Sequence, residues 1–222
     1  MSHYVEVNGV RATTAIVYVP SRGMWWAEVT FDDTAEVTET RSGCILTIAQ
    51  TTFRGTLLPE HSGTFGLRRS CGIVAGAAGW RRKLPVTALH NDAGVNLSTV
   101  IQGLAKETGE TIANLTDRKL GPKYSRLPTT AAAHMNALLP AWHVDYAGVT
   151  QCRAPQGGTL GEHQILEYDP LHRYALLATM NPGNIPLGVT LPAGERLDAP
   201  LIVRSLEIRV ENDEARVRVW GA

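Results

Sequence analysis

The residue pair best suited to chemistry is His143 and Asp145, which lie two positions apart. Side chains two positions apart in a strand share one face, so these two would lie together. A histidine beside a carboxylate can form an acid–base pair or supply two ligands to a metal ion. The sequence suggests no third ligand, and an ordinary surface hairpin is the favoured explanation of the pair.

The cysteines Cys44, Cys71 and Cys152 are the other candidate nucleophiles. A cysteine paired with a distant histidine can act as a thiol nucleophile, but widely spaced cysteines in odd number are also typical of small, buried, reduced side chains. The chain has no Gly-x-Ser-x-Gly elbow, no phosphate-binding loop ending in Gly-Lys-Ser/Thr and no His-Glu-x-x-His motif. The glycines between Gly72 and Gly79 do not match the dinucleotide fingerprint and favour tight strand packing. We therefore predict no catalytic residue, no cofactor and no metal, and a protein that is not an enzyme.

Composition limits the remaining classes. Of the 222 residues, 44% are apolar and 19% are charged, and the formal net charge is zero. A dedicated nucleic-acid binder normally has a marked basic excess, so that class is disfavoured. There is no apolar run near the roughly 18 residues that span a membrane, and the sequence starts without the features of a signal peptide. We expect a protein that is made in a cytoplasm and has no membrane anchor.

Two segments carry opposite charge. Residues 28–40 contain acids but no base, and residues 68–83 contain bases but no acid. Both segments could be ordinary solvated faces. Alternatively, the acidic segment of one copy meets the basic segment of another, because complementary patches steer association and set its register. The candidate interface residues are Asp32, Asp33, Glu36, Arg68, Arg69, Arg81, Arg82 and Lys83.

The elements that would position these residues are mainly strands. In the first third, residues 1–85, Trp25, Ala27, Val29 and Phe31 alternate with polar neighbours, which is the period of a half-buried strand. Short β-branched runs at 15–19 and 44–49 predict further strands, and residues 51–58 continue the pattern. The dense glycines from Gly55 to Gly79 favour bulged, curved strands, and hence a small barrel or sandwich.

The middle third, residues 86–160, is predicted to be a small α/β unit. The segment 90–94 has turn and cap chemistry, and apolar residues then recur at helical spacing until Gly109. A second helix is expected over 130–139, followed by a hairpin over 142–150 that turns at Ala147–Gly148. The last third, residues 161–222, returns to strands at 163–168 and 173–179, and its clearest hairpin pairs 201–210 with 215–220.

The order of these segments resembles the tail and baseplate hub proteins of tailed phages, the group that includes late control protein D. The segment Thr64–Arg69 leads through a glycine-rich turn to Gly79–Arg81, and His90–Val95 then opens a helix. The segment Trp142–Thr150 is similar to the hub's middle region, and the closing strand pair is similar to the family's terminal hairpin.

The resemblance implies a mainly β fold with a small α/β insertion, in which two tail-tube-like β-barrels, at residues 1–85 and 161–222, flank a helical and hairpin unit. It also implies a homotrimer, because three copies of a two-barrel chain offer six barrels to a sixfold tail tube. The implied function is that of a structural virion protein. It would form a hub or distal ring at the end of the tail and link the tail tube or a distal tail protein to the spike or fibre protein.

A ring of this kind would let DNA pass without binding it specifically. Carboxylates at Asp32, Asp33 and Glu36 would repel the phosphates if they faced the channel. We expect the protein in the virion tail, after assembly in the host cytoplasm.

Two alternative functions stay open. A β-barrel module could bind a carbohydrate or peptide through exposed aromatic side chains such as Trp25, Trp26 or Trp142. An enzyme could use the region around His143 and Asp145.

Overall fold

The structure is a computed structural model that describes residues 4–32, 37, 43–194, 196–211 and 214–222, and only the backbone of residue 65. Strands account for 49% of it and helices for 13%, so the prediction of a mainly β fold with few helices is confirmed. The strands are β1 (Val5–Val7), β2 (Val10–Arg11), β3 (Thr14–Pro20), β4 (Trp26–Asp32), β5 (Cys44–Ile48), β6 (Thr51–Phe65), β7 (Arg68–Ala75), β8 (Thr87–His90), β9 (Ile112–Ala113), β10 (Lys123–Arg126), β11 (His143–Val144), β12 (Thr150–Gln151), β13 (Gln164–Asp169), β14 (Tyr174–Ala178), β15 (Thr190–Leu191), β16 (Leu201–Glu211) and β17 (Glu214–Gly221). The helices are α1 (Leu97–Thr108) and α2 (Ala131–Leu138), and short 3-10 turns cover Gly79–Arg81 and Pro182–Asn184.

Strands from both ends of the chain form one sheet. In the described part of the chain this sheet has 12 strands in the order β13-β14-β17-β16-β3-β4-β7-β6-β5-β1-β2, with β15 added beside β16. The antiparallel pairing of β3 with β16 joins the first third of the chain to the last. This path of described strands is open between β2 and β13. The two closed barrels, and the boundaries at 85 and 160, therefore stay predictions.

Alternating burial explains the central strands. Trp25, Ala27, Val29 and Phe31 are buried, and Trp26 between them is exposed, so the predicted strand and its buried face are confirmed. The same alternation runs through β3, β5, β16 and β17. Each of these strands contributes its apolar face to the common core.

A bulge makes β6 longer than the predicted 51–58. Leu58 pairs with Gly72 and Gly63 pairs with Ser70, so three extra residues of β6 arch out between these pairs. The Ser62 hydroxyl donates to the Leu58 carbonyl at 2.8 Å and holds the arch. Its His61 lies over Gly72, where an added Cβ would lie 2.7 Å from the His61 Cβ. The predicted role of this glycine in close strand packing is thereby explained.

The middle third contains the predicted helices and hairpin. Helix α1 ends at Gly109, whose φ of 76° is the left-handed conformation expected of a glycine cap. The beginning of α1 differs from the prediction. Asn91 makes a local turn by accepting the Ala93 N–H at 3.0 Å, whereas the Ser98 N–H in the first turn of α1 donates to Asp117 at 2.8 Å. A residue far along the chain thus satisfies the helix N-terminus.

Buried tryptophans pack the middle third against the sheet. The rings of Trp80 and Trp142 meet edge-to-face at 5.8 Å, and the Trp25 Nε1–H donates to the Asp145 carbonyl at 3.0 Å. These contacts set the sheet and the 142–150 hairpin in a defined orientation. Among the described residues, no helix has the length and apolar character needed to cross a membrane.

Candidate assembly surface

The acidic and basic segments become neighbours within one chain. Strand β4 pairs with β7 so that Asp32 stands opposite Arg68, and Phe31 stands opposite Arg69. Asp32 and Arg68 are both exposed. Asp33 and Glu36 lie outside the described residues. The interface between copies that was predicted from these residues is not tested by their placement and stays a prediction.

Of the other three basic residues, Arg81 ends the 3-10 turn at Gly79–Arg81, and Arg82 and Lys83 follow it. The Arg81 guanidinium forms an ion pair with Glu60 on the β6 bulge, with 2.8 Å between Nη1 and Oε1. Arg82 donates to the Glu107 carbonyl at 3.3 Å, and Lys83 is exposed. A hydrogen bond from the Glu60 backbone and the bond from Arg81 together lower the pKa of the Glu60 carboxyl. Two of the predicted interface bases, Arg81 and Arg82, are therefore already engaged inside their own chain.

Glu110 holds the turn that carries these bases, and sequence reasoning missed it. Its side chain is buried, and its carboxylate accepts the Gly79 N–H at 2.7 Å and the Ala77 N–H at 3.2 Å. Burial raises the pKa of Glu110, against the opposing effect of these backbone hydrogen bonds. No local motif reveals this role, because donor and acceptor are about thirty residues apart in the sequence.

The β6 bulge also forms one wall of an apolar groove of about 470 Å³. We call it the Trp26 groove. The residues that line it include Met24, Trp26, Glu28, Leu58, Val74 and Arg81. Trp26 remains 47% exposed although it lies in a strand of the central sheet. The sequence signal for the groove is this large aromatic residue on the polar face of an alternating strand.

Glu28 faces the same groove as Trp26, two positions further along β4. It is exposed, and no other described residue forms a hydrogen bond or ion pair with its carboxylate. The ring of Tyr18 on β3 lies 6.2 Å from that of Trp26 and extends the aromatic surface. An unneutralised carboxylate beside an exposed indole favours a ligand that combines apolar area with a positive charge.

His143 and Asp145 line a separate polar cleft of about 520 Å³. Asp145 accepts the Val149 N–H at 2.9 Å and the Gln151 side-chain N–H at 2.7 Å, so both of its oxygens build the predicted hairpin. His143 Nδ1 donates to the Arg153 carbonyl at 3.1 Å, and burial lowers the pKa of its imidazole. No hydrogen bond joins the His143 and Asp145 side chains within the described residues. Their contacts are those of a structural turn.

The remaining candidates for chemistry are buried. Burial raises the pKa of Cys71 and of Cys152 to about 11, which keeps both thiols protonated near neutral pH. Across the described residues, no three or more His, Cys, Asp or Glu side chains are grouped closely enough to hold a metal ion.

The structure corrects the set of aromatic residues expected on the surface. Trp25 is 0% exposed and Trp142 is 1% exposed, so the prediction that they could contact a ligand is wrong. Each indole N–H finds an internal acceptor, Asp145 for Trp25 and Asn136 for Trp142, which allows the whole ring to be buried. Of the three tryptophans proposed for that role, Trp26 alone keeps it.

This fold is similar to that of solved structures, although the sequence comparisons find no relative. No protein-family profile matches the sequence, and no curated protein matches it. Solved structures do match. The 43 kDa tail protein of prophage MuSo2 from Shewanella oneidensis has a TM-score of 0.65 at 8% identity, over 97% of this chain and 95% of that one. A tail protein from Neisseria meningitidis has a TM-score of 0.62 at 10% identity, over 97% and 94%.

A third match comes from a secretion system. The Escherichia coli c3393 protein, a component of the type VI secretion system with structural similarity to the T4 bacteriophage tail proteins gp27 and gp5, has a TM-score of 0.62 at 10% identity, over 99% of this chain and 79% of that one. At such low identity the likeness concerns the fold. The chain therefore has the fold of phage tail proteins, which this type VI secretion component shares.

Proposed function

We propose that this chain is a structural subunit of a phage tail. It forms a hub or distal ring at the end of the tail and links the tail tube to the spike or fibres. The observation that carries the proposal is the likeness to two tail proteins over 97% of this chain.

The sheet supports a mechanical role. Its hydrogen-bonded strands run without interruption from the N-terminal strands through the β3–β16 pair to the C-terminal strands. A load applied at one end is therefore carried by backbone hydrogen bonds to the other end. The zero net charge of the chain also keeps mutual repulsion between copies low.

In the proposed assembly three copies form a ring, and their β-rich halves contact a sixfold tail tube or a distal tail protein above and a spike or fibre protein below. DNA passes through the ring without specific binding. The protein resides in the virion tail after assembly in the host cytoplasm.

The test is direct. Purified protein is examined by sedimentation equilibrium and negative-stain electron microscopy, and labelled antibodies locate the chain on intact tail particles. We expect threefold rings or a concentration-dependent trimer, and label at the tail end. Label along the tail shaft, or none on particles, contradicts the proposal.

The predicted interface is tested by charge reversal. Arg81→Glu combined with Arg82→Glu is expected to abolish assembly while the monomer still folds, with Arg204→Glu on the exposed side of β16 as the matched control. Because Arg81 pairs with Glu60, a Glu60→Gln variant separates loss of the internal ion pair from loss of the interface. Assembly that survives the double reversal contradicts a role for these bases.

The Trp26 groove favours one alternative, a module that binds a carbohydrate or peptide. Exposed aromatic rings commonly stack on such ligands. A monomer whose Trp26 emission saturates with an added oligosaccharide supports this alternative, whereas rings without such saturation support the tail role.

A further inference from the structure

We propose that the Trp26 groove receives the tip of the β6–β7 hairpin from a second copy of this chain. The hairpin tip consists of Gly66, Leu67 and Arg68. In the contact, Leu67 enters the apolar groove and Arg68 pairs with Glu28. The inference deepens the proposed function, and rests on it, because it names a contact by which copies assemble.

The Trp26 groove is already formed within a single chain. The floor lies on β7 and the opposite wall on the β6 bulge, which Ser62 and the Glu60–Arg81 ion pair hold in place. Because Gly72 has no Cβ, His61 of the β6 bulge can lie directly over this part of the floor. A surface that is already shaped loses little conformational entropy on binding.

The inserted surface is equally well formed. Gly66 has a φ of 60°, which permits the tight turn between the paired residues Thr64 and Arg69. At the tip, Leu67 is 79% exposed and presents its apolar side chain to a partner. Arg68 beside it is exposed, and no ion pair links it to another residue that the structure describes.

Within one copy the tip lies far from the groove. Arg68 and Gly72, the groove residue that pairs with Glu28, are four positions apart on β7, which corresponds to roughly 13 Å between their backbones, and Val74 lies two positions further along. Because the pairing of β6 with β7 fixes the tip at this distance along the same sheet, we assign the tip to the groove of another copy. Because tip and groove are different surfaces, each copy can insert its tip into one neighbour and accept the tip of another neighbour in its groove. A head-to-tail contact of this kind closes into a ring if the rotation between copies allows it.

The chemistry of the two surfaces matches. Leucine supplies apolar area to the side chains of Met24, Trp26, Leu58 and Val74, and burial of such a side chain is the main source of binding energy. The arginine places a positive charge next to the Glu28 carboxylate and the face of the indole, where charge and ring attract it together. Arg81 is engaged with Glu60, so Glu28 remains available.

A charge exchange tests the contact. Glu28→Arg and Arg68→Glu are each expected to weaken self-association by about tenfold or more, since each puts like charges together. The double variant is expected to restore the wild-type association, because the pair is then present in reverse. Sedimentation equilibrium measures the association constant. Arg204→Glu is the control for an exposed arginine elsewhere.

Two leucine substitutions test the apolar part of the proposed contact. Leu67→Ser is expected to weaken association by about tenfold or more, from loss of buried apolar area. Leu171→Ser is the matched control, because Leu171 is 84% exposed on the turn between β13 and β14 and does not line the groove. On association, the emission of Trp26 shifts to the blue and Trp26→Phe removes that shift.

The outcomes separate the two proposals. Single reversals without effect, or a double variant that is no better than the singles, overturn this contact and leave the proposed tail function standing if rings persist. A wild-type chain that stays monomeric at its highest soluble concentration also overturns the contact. If the charge exchange behaves as expected but antibodies find no protein at tail ends, the contact is upheld and the tail function fails.

Discussion

Replacement of Glu110 by alanine is expected to loosen the turn that carries Arg81, Arg82 and Lys83. The carboxylate is the acceptor for the buried Gly79 N–H and for the Ala77 N–H, at 2.7 Å and 3.2 Å. Without it these backbone donors face a small cavity at the end of α1 and have no partner. The turn is then free to move relative to the sheet.

The magnitude follows from those bonds. A hydrogen bond to a charged acceptor contributes roughly 1.5–3 kcal/mol, and two are lost, but removal of a buried charge returns part of its desolvation penalty. We expect Glu110→Ala to lower the free energy of unfolding by about 3 kcal/mol. For a chain of this length that corresponds to a fall in Tm of roughly 6–12 °C.

Urea unfolding followed by tryptophan fluorescence measures the loss, and Glu110→Gln is the matched control. The glutamine keeps one acceptor oxygen and fills the same space, so its destabilisation is expected to be about 1–2 kcal/mol. A Glu110→Ala variant within about 0.5 kcal/mol of the wild type would refute the argument that this carboxylate anchors the turn.

The pH dependence has a definite sign. The pKa of Glu110 is raised by burial, so the folded state binds its proton more tightly than the unfolded chain does. Its favourable contribution is complete below the ordinary glutamate pKa of about 4.3 and is lost as the pH rises through the higher folded value. Relative to Glu110→Gln, the wild type is therefore expected to gain stability as the pH falls from 7 to 4. A relative loss would mean that the backbone hydrogen bonds outweigh burial.

Three further predictions concern the frame of the fold. The Tyr146 hydroxyl is buried without a hydrogen-bond partner in the described chain. Tyr146→Phe is therefore expected to leave the free energy of unfolding in urea unchanged or to raise it by about 1 kcal/mol. A loss of that size would contradict the absence of a partner. An added Cβ at Gly55 would lie 2.3 Å from the Val74 carbonyl, so Gly55→Ala is expected to lower Tm strongly, whereas Gly63→Ala, with open space around it, is the neutral control. Arg196 donates to two carbonyls of β13 at 2.9 Å, so Arg196→Ala is expected to uncover this outer strand and increase light scattering on storage, and unchanged scattering would argue against that protection.

Local sequence patterns were enough to predict the individual strands and helices. Alternation of apolar and polar residues identified β4 and placed Trp25 and Phe31 on one face, which the structure buries. It also located both helices, since helical spacing and the terminal Gly109 are local properties. Such patterns depend only on near neighbours, and they are readable without knowledge of the fold.

Charge patterns alone were less informative. They identified an acidic and a basic segment, but not that Asp32 and Arg68 stand opposite each other on paired strands. The same limit applies to the tryptophans, because exposure of Trp26 and burial of Trp142 depend on which elements cover them. The type of a residue does not determine whether other elements of the fold cover it.

Features that depend on strand register or on distant partners could be seen only in the folded chain. The bulge in β6 shifts its pairing with β7 and thereby creates the Trp26 groove. Glu110 and Asp117 satisfy backbone groups far away in the sequence, and β3 finds β16 only when the whole chain has folded. Register and remote hydrogen bonds are chosen by the total free energy of packing, to which every segment contributes, and so no single stretch of sequence encodes them.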